Sequence, residues 1–313
     1  MPTLVFDRHN ISLEYENDCL IIREPEQPPR TLPLSHIDKM VCLHSVQLTT
    51  SLLGQLWQRG IDFVVLNNRY SERSFGLYPQ QQRQAQRRCQ QYQWQQNNQH
   101  SLELAIQLCQ HRLKECMRLV PESANPGLHL CLQQLHTTMS LCTSPDELRG
   151  VEGTAQRLLF EHWRQQLPAS LGFQRRQRRP PPDPVNALLS LSYTLVMQEA
   201  VRQCLLAGLD PWLGFYHRPS PGRYSLACDL MEPVRPAIEQ WVMECFTNRL
   251  LDRRHFSHSA GQPCLLGKNG REIFYRAIDP MLGIWQKQLQ ATARWIARRV
   301  DQSTPLPEPA HEV

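Results

Sequence analysis

Several signatures that assign a protein to a functional class are missing from this 313-residue sequence. It has no C-x-x-C pair and no cysteines at zinc-finger spacing from histidines, which argues against a structural zinc site. It also has no glycine-rich nucleotide loop of the G-x-G-x-x-G or P-loop type, and no internal repeat. Zinc fingers, dinucleotide-binding folds, P-loop enzymes and repeat proteins are therefore excluded as interpretations.

Signals for export and membrane insertion are missing as well. The first ten residues, MPTLVFDRHN, lack the basic-then-apolar pattern of a signal peptide. The longest uncharged apolar run, near residues 186–197, is too short and too polar to cross a bilayer. Most of the 11 cysteines lie in apolar runs, as Cys204, Cys228 and Cys245 do, which is typical of core residues in a reducing compartment. We therefore expect a soluble, cytoplasmic protein with no membrane association.

Positive charge is concentrated away from the N-terminus. Residues 1–75 hold 7 Lys and Arg against 9 Asp and Glu, whereas the rest of the chain holds 27 against 20, a net charge of +7. A basic C-terminal portion is compatible with a polyanionic partner such as nucleic acid. A solvated basic surface explains the same numbers equally well, so charge alone leaves both interpretations open.

The order of the predicted elements indicates an α+β protein, with a small N-terminal β-sheet or sandwich domain before a larger all-α-helical domain. Short β-prone runs alternate with turn residues as far as residue 78, which is typical of a small sheet. Apolar residues on one face predict a helix at 49–59, and Gly60 is a plausible end to it. The predicted strands are 3–6, 12–15, 19–23, 30–34, 39–43, 61–66 and 75–78.

The chain changes character after residue 78. Residues 79–100 contain 11 glutamines, and they predict a linker that passes into a polar helix. Residues 101–301 repeat apolar positions at helical spacing, and Ser144 and Glu147 there have the spacing of a capping box. Residues 302–313 are proline-rich, which predicts a disordered tail. The predicted helices are 101–117, 129–141, 145–163, 186–206, 238–251 and 275–300, with an extended segment at 256–274 that turns at 268–270.

A histidine and two acids stand out within residues 208–236. His217 lies in a segment rich in proline and glycine, and functional side chains concentrate in such loops. Asp229 and Glu232 are three residues apart, so they share a face if the segment is helical. An imidazole with carboxylates suits a hard divalent ion such as Mg²⁺ or Mn²⁺. The plainer alternative is a satisfied polar histidine beside an acidic first turn that the helix dipole stabilises.

A third acid, Glu152, lies between Gly150 and Gly153 in the helix with the strongest start signal. A glycine inside an exposed helix costs about 1 kcal/mol relative to alanine. We therefore expect some group to approach this backbone closely. Packing of two helices across a small-residue face, with Glu152 solvated, is the alternative.

Four arginines make residues 172–184 the densest basic patch of the chain. Such a patch predicts contacts with phosphate groups, which position nucleic acid without reading its sequence. A solvated, disordered linker fits the same residues. The four are Arg175, Arg176, Arg178 and Arg179.

Five blocks of sequence occur in an order that is shared with one known family. Residues 150–153 (GVEG) match its glutamate motif, and residues 178–189 match its basic-Pro-Asn-Ala-Leu-Leu block. Residues 207–217 (AGLDPWLGFYH) and 222–236 (GRYSLACDLMEPVRP) match its two central segments, and residues 53–66 match an N-terminal strand. Together these blocks resemble the universal integrase-endonuclease of CRISPR adaptation, a family that inserts new spacers into the repeat array.

The resemblance implies an N-terminal β domain that mediates homodimerisation and a helical catalytic domain that binds Mg²⁺ or Mn²⁺. It implies Glu152, His217 and Glu232 as the catalytic metal ligands, with Asp229 as a supporting acid. Glu232 departs from the aspartate that the family often has at this position, but it keeps the carboxylate. The candidates for DNA contact are then Arg175, Arg176, Arg178, Arg179, Asn186, Arg223 and Arg235. For Asn186 and Arg223, which match family positions near the site, a supporting role is the alternative.

The resemblance also implies partners and a reaction. The DNA partners would be a protospacer duplex and the leader-repeat junction of a CRISPR array. The protein partner would be a small ferredoxin-like adaptation subunit, which bridges two homodimers into a heterohexamer. The implied reaction is transesterification, in which a DNA 3′-hydroxyl attacks a phosphodiester at the repeat edge. A non-catalytic DNA-binding scaffold and a general metal-dependent DNase are the alternatives, and the sequence leaves open whether a reverse transcriptase accompanies the chain.

Overall fold

The structure is a computed structural model, and it describes residues 3–67, 73–78, 84–177, 180–257 and 263–302. A β region at the N-terminus is followed by helices that pack around a second, larger core. The predicted α+β class is therefore confirmed. The domain boundary at residue 78 stays a prediction, and the linker at 79–83 and the tail from residue 303 lie outside the described residues.

The β region consists of two four-stranded sheets. Its strands are β1 (Thr3–Phe6), β2 (Ile11–Glu16), β3 (Cys19–Arg23), β4 (Arg30–Pro33), β5 (Lys39–Cys42), β6 (Val46–Leu48), β7 (Asp62–Val65) and β8 (Phe75–Leu77). The first sheet has the order β1-β5-β7-β8 and is parallel except for β8. The second has the order β4-β3-β2-β6 and is antiparallel except for the β2–β6 pair. The three-residue β6 was not predicted, because a run that short carries no periodic signal.

The first sheet lies between the two hydrophobic cores and contributes side chains to both. Met40 and Phe63 lie in the core of the β region, whereas Val41 and Val64, their neighbours in sequence, lie in the core of the helical region. Successive side chains of a strand point to opposite faces, so both faces of this sheet are buried. The helix α1 (Thr50–Arg59) closes the smaller core and ends at Gly60, which has a φ of 71°.

The helical region begins with the predicted glutamine-rich helix. Its helices are α2 (Ala85–Gln96), α3 (Asn98–Leu119), α4 (Pro126–Met139), α5 (Pro145–Gln166), α6 (Pro184–Leu206), α7 (Ser225–Met231), α8 (Arg235–Thr247) and α9 (Lys268–Asp301). Ser144 caps α5 as predicted, and its Oγ accepts a hydrogen bond from Glu147 N at 3.3 Å. The Glu147 carboxylate accepts from Thr143 N at 2.7 Å, so the capping box closes one residue earlier than predicted.

The predicted extended segment at 256–274 is wrong over its second half. Among the described residues of this segment, the strands are β9 (Phe256–Ser257) and β10 (Leu265–Leu266), and α9 begins at Lys268. Gly270 lies in the first helical turn, where an added Cβ would come within 2.6 Å of Leu266 Cδ1 and 2.9 Å of His255 O. This glycine therefore allows close packing against the hairpin and does not mark a turn.

A cluster of buried charges joins the first sheet to α6. Lys39 Nζ lies 3.5 Å from Glu199 Oε2, Arg202 Nη1 lies 3.6 Å from Glu199 Oε1, and Arg202 also pairs with Asp62. Burial raises the pKa of Asp62 to about 6, because the neighbouring cations offset its desolvation only in part. The cluster ties the β region to the helix that supports the site described next.

Among the described helices, none combines the length and the apolar content that a membrane crossing requires.

Candidate functional site

The loop that carries His217 is fixed at its start by the glutamine-rich helix α2. The Gln91 amide accepts from Asp210 N at 2.8 Å and donates to Asp210 O at 3.0 Å and Leu213 O at 2.8 Å. Arg87 donates to Ala207 O at 2.6 Å. The segment predicted as a linker and polar helix therefore also fixes the path of this loop.

Gly214 lets the same loop fold back onto the start of α7. A Cβ at this position would lie 2.6 Å from His217 O and 2.8 Å from Ser225 O. Such distances are far below an ordinary contact, so only glycine permits this approach of two backbones. The fold-back brings His217 to the buried side chain of Asp229.

Asp229 is fully buried and serves as the anchor of the loop. Its Oδ2 accepts from Phe215 N at 2.6 Å and Tyr216 N at 3.1 Å, and its Oδ1 accepts from His217 N at 2.9 Å. The same Oδ1 lies 2.7 Å from His217 Nδ1. A carboxylate in this position keeps the proton on Nδ1 and leaves the lone pair on Nε2. Asp229 thus has the contacts of a supporting acid.

Glu232 follows α7 and faces the imidazole from the other side. Its Oε1 lies 3.8 Å from His217 Nε2 and 2.8 Å from Arg235 Nε, and its Oε2 accepts from Arg112 Nη1 at 2.8 Å. Burial alone would raise the pKa of Glu232, but Arg235, Arg112 and His217 together lower it. The side chain is therefore a buried, ionised carboxylate.

Glu152 comes from α5 and meets Glu232 through an arginine that was not predicted. Arg112, on α3, donates to Glu152 Oε1 and to Glu232 Oε2, and its side chain is only 3% exposed. Burial works to lower the pKa of Arg112, but Glu232, Glu152 and Glu239 outweigh it and raise that pKa. Two of the three predicted ligands are thus held together by a charged guanidinium.

Behind Arg112 lies a further acid, Glu239 on α8, which is fully buried. Its Oε1 accepts from Gln156 Nε2 at 3.2 Å and from the Tyr193 hydroxyl, and it lies 3.9 Å from Arg112 Nη2. Gln156 Oε1 also accepts from Arg112 Nη2, so an amide bridges the two charges. The site is therefore a network of contacting charges and not a set of isolated side chains.

The chemistry of these donors fits a divalent cation. Four carboxylates and two guanidiniums meet here, which gives a net charge of −2 when His217 is neutral. Carboxylate oxygens and an imidazole nitrogen with a free lone pair are suitable ligands for Mg²⁺ or Mn²⁺. No three His, Cys, Asp or Glu side chains of the described residues are placed as ligands of one ion. Since Arg112 contacts both Glu152 and Glu232, an ion that binds both must displace it.

The glycines around Glu152 do not have the predicted close neighbour. An added Cβ at Gly150 or Gly153 would have nothing within 4 Å, and both residues are exposed. Within the described part of the chain, residues 208–236 do not fill this space, and the close approach of a group from outside the chain stays a prediction. Both glycines therefore lie on an exposed face of α5 beside Glu152.

Two of the predicted DNA contacts are buried. Asn186 has no exposed surface, and its amide donates to Asp183 Oδ2 at 2.7 Å and to Arg175 O at 2.9 Å. The Arg235 side chain is only 10% exposed and forms an ion pair with Glu232. Neither side chain is placed to contact DNA, which corrects the prediction: Asn186 holds the basic loop and Arg235 holds the site.

The other basic candidates lie nearer to solvent. Arg175 and Arg223 are exposed, and Arg176 is half-buried. Arg178 and Arg179 lie outside the described residues. DNA contact by Arg175, Arg176 and Arg223 stays a prediction.

Arg112 could have been found in the sequence. It stands at helical spacing from Leu108, Cys109 and Cys116, which form the buried face of α3. An arginine inside an apolar stripe is almost never buried without a charged partner. This pattern predicts an acid facing α3, although it does not say which acid.

Comparisons with known proteins assign this arrangement to a family. A profile described as CRISPR associated protein Cas1 matches residues 4–279. The chain belongs to the Cas1 family. It is 32% identical to CRISPR-associated endonuclease Cas1 1 of Thermodesulfovibrio yellowstonii, over 96% of this chain and 99% of the relative. A Cas4 exonuclease/Cas1 endonuclease fusion of Geobacter sulfurreducens is 31% identical over 84% of this chain, which spans about half of that fusion.

Solved structures share the Cas1 fold of this chain. A casposase bound to its integration product has a TM-score of 0.85 at 19% identity, with 98% of this chain and 92% of the casposase covered. A Cas1 protein from Thermotoga maritima has a TM-score of 0.83 at 16% identity, with 98% and 100% covered. A Cas6-RT-Cas1–Cas2 complex has a TM-score of 0.80 at 20% identity, with 97% of this chain and 35% of the complex chain covered.

Proposed function

We propose that this chain is a DNA integrase and endonuclease that inserts protospacer DNA into a CRISPR array. The observation that carries this proposal is the convergence of Glu152, His217 and Glu232 at one buried, negatively charged site. Relatives named as CRISPR-associated endonucleases support a nuclease activity. A structural neighbour bound to an integration product supports the strand-transfer reaction.

Glu152, His217 and Glu232 would hold a divalent ion, through carboxylate oxygens and the imidazole Nε2. When bound, Mg²⁺ or Mn²⁺ supplies positive charge that lowers the pKa of an attacking hydroxyl and offsets charge on the phosphate. Glu152 and His217 are the more exposed members, at 17% and 22% of their side chains. DNA would therefore approach from their side, along the exposed face of α5 at Gly150 and Gly153.

The proposed reaction exchanges one phosphodiester bond for another, and residues of the chain hold the reacting groups in place. A P–O bond forms from the attacking 3′-oxygen, and the bond from phosphorus to the 3′-oxygen of the target strand breaks. The attacking hydroxyl gives up its proton to a base or to water, and the departing 3′-oxygen takes up a proton, so one 3′-hydroxyl replaces another. Asp229 keeps His217 in one tautomer and one orientation, so Nε2 stays available as a ligand or as a proton acceptor. With water in place of the 3′-hydroxyl, the same arrangement hydrolyses DNA.

The proposed partners follow from the same family. Homodimerisation would use the β region, where Trp57 and Phe75 are about half exposed, at 52% and 54%. A small ferredoxin-like Cas subunit would bridge two such dimers into a heterohexamer, and a Cas1–Cas2 assembly among the structural neighbours supports this. A reverse transcriptase is named in that same neighbour, and its association with this chain is a separate proposal.

A half-site integration assay tests the proposed activity. Glu152→Gln and His217→Ala are expected to reduce strand transfer into a branched substrate by about 10²–10⁴-fold, the range for loss of a catalytic acid-base group. DNA binding in a mobility-shift assay should survive both substitutions. Glu161→Gln, on an exposed part of the same helix α5, is the matched control and should be as active as the wild type.

The same assay separates the alternatives. Full strand transfer in the presence of a chelator, or by both site variants, would refute a metal-dependent integrase. A scaffold that only binds DNA would bind no divalent ion in calorimetry. A general DNase would cleave plain duplex as fast as it processes the branched substrate.

A further inference from the structure

Arg112 occupies the place at which the two proposed acidic ligands come together. Its Nη1 donates to both Glu152 and Glu232, and Arg235 pairs with Glu232 from the other side. The Arg112 guanidinium therefore lies between the two acids, at the position where an ion shared by them would bind.

A second acceptor for the same guanidinium lies next to it. Arg112 Nη2 is 3.9 Å from Glu239 Oε1, which is too long for a hydrogen bond. Glu239 is fully buried, and its Oε2 has no hydrogen-bond partner among the described residues. An unpaired oxygen of a buried carboxylate is costly, so such a group favours the approach of a donor. Gln156, which contacts both Arg112 and Glu239, connects the two positions.

We propose that Arg112 is a positioning residue: it pairs with Glu152 and Glu232 in the metal-free site, and it moves to Glu239 when a divalent ion takes its place. This inference rests on the metal site proposed above. The exchange keeps every charge paired, because the ion replaces one cation at the ligands and the displaced cation neutralises Glu239. Arg112 then competes with the ion for Glu152 and Glu232. Glu239 weakens this competition, because it binds the displaced guanidinium.

Calorimetric titration of the metal-free protein with Mn²⁺ tests the competition. Arg112→Gln should bind Mn²⁺ at least about tenfold more tightly than the wild type, because the ion no longer has to displace a positive charge. The melting temperature without metal should fall, since two buried acids lose their partner, and Mn²⁺ should raise it more than in the wild type. Equal or weaker Mn²⁺ binding by this variant would overturn the proposal.

Glu239→Gln tests the second position. In the wild-type background it should weaken Mn²⁺ binding by about tenfold, because the displaced guanidinium has no ionised acceptor. In the Arg112→Gln background the same change should have less than about a threefold effect, since no guanidinium remains to be displaced. Equal effects in both backgrounds would mean that Glu239 acts only through its own charge, and would overturn the role given to it.

Arg112→Lys is a second test of the competition, to be used if the Arg112→Gln variant does not fold. Lysine keeps the charge but lacks the fork that donates to several acceptors, so Mn²⁺ should bind at least about threefold more tightly than in the wild type. Unchanged affinity would contradict the proposal. If the wild type binds no Mn²⁺ at all, the metal site itself is refuted. If it binds Mn²⁺ and the variants do not respond as described, only the role of Arg112 and Glu239 fails.

Discussion

Asp229 and Glu232 are three residues apart, yet the fold places them in different environments. Asp229 is fully buried and accepts three backbone N–H groups together with the His217 ring. Glu232 pairs instead with two guanidiniums and faces the ring at a longer distance. The first acid therefore orients the imidazole, whereas the second is held by charge pairs, one of which an ion would have to replace.

Asp229→Asn tests this division of roles. The amide cannot accept from all the donors that surround Asp229, so we expect a loss of about 1–3 kcal/mol of unfolding free energy. Mn²⁺ affinity should fall by about 10–100-fold, the range for residues that orient metal ligands. Urea unfolding and calorimetry measure the two effects.

Asp210→Asn is the control for that substitution. Asp210 lies in the same loop and accepts from Trp212 N at 2.9 Å and the Tyr92 hydroxyl at 2.8 Å, but it does not contact His217. It should lower stability and leave Mn²⁺ affinity unchanged. If both variants lose metal affinity equally, Asp229 acts through loop stability alone.

Glu152, His217 and Glu232 could be named as candidate ligands from the sequence because the motifs that contain them are local, and their role as ligands stays a prediction. The sequence did not reveal how they pair. Arg112 comes from a helix that no motif marks, and its partners depend on which helices meet in space. The burial of Asn186 likewise depends on the path of the loop around it.

The two glycines of helix α5 lower its stability. Gly150 and Gly153 weaken the helix, and an added Cβ at either position would meet no other group. Gly150→Ala is expected to raise the unfolding free energy by about 1 kcal/mol, because alanine orders the helix at lower entropic cost. Chemical denaturation measures this change.

The same variant reports on whether DNA contacts the exposed face of α5 beside Glu152. If DNA lies along this face of α5, Gly150→Ala should weaken binding of the branched substrate while it stabilises the free protein. A less stable variant would show that a neighbour fills this space in solution. Unchanged DNA affinity would show that DNA does not approach at Gly150.

Most elements were predictable because their patterns are periodic or their ends are marked. The strands of the β region and the start of α5 follow from alternation and from Ser144. The start of α9 was not predictable, because Gly270 allows close tertiary packing there. A single sequence cannot distinguish a glycine with that role from a glycine in a turn. The function of α2 was missed for a similar reason, since Gln91 binds a loop more than a hundred residues away.

At the scale of the whole molecule, the junction of sheet and helices is sensitive to pH. Asp62 has a pKa of about 6 in the folded chain against 3.8 ordinarily. Between these values the folded state keeps a proton that the unfolded state releases, so stability falls as pH rises and the loss is complete above about pH 6. The difference corresponds to about 3 kcal/mol.

Comparison with Asp62→Asn isolates this effect. Between pH 4 and pH 7, the unfolding free energy of the wild type should decline by about 2 kcal/mol relative to the variant, which has no titrating group at this position. The exposed Glu16→Gln should show no such difference from the wild type. A wild type that gains stability over the variant with rising pH would mean that Arg202 and Lys39 outweigh burial.

The sheet between the two cores also restricts which insertions and deletions the sequence can accept. A shift of β7 by one residue would exchange Phe63 with Val64, and a single-residue insertion in β5 would do the same to Met40 and Val41. Each change would place side chains of the wrong size in both cores. A shift by two residues would return each side chain type to its original face of the sheet. Odd-numbered insertions and deletions in these strands should therefore be excluded among Cas1 sequences that share this fold, and even-numbered ones tolerated.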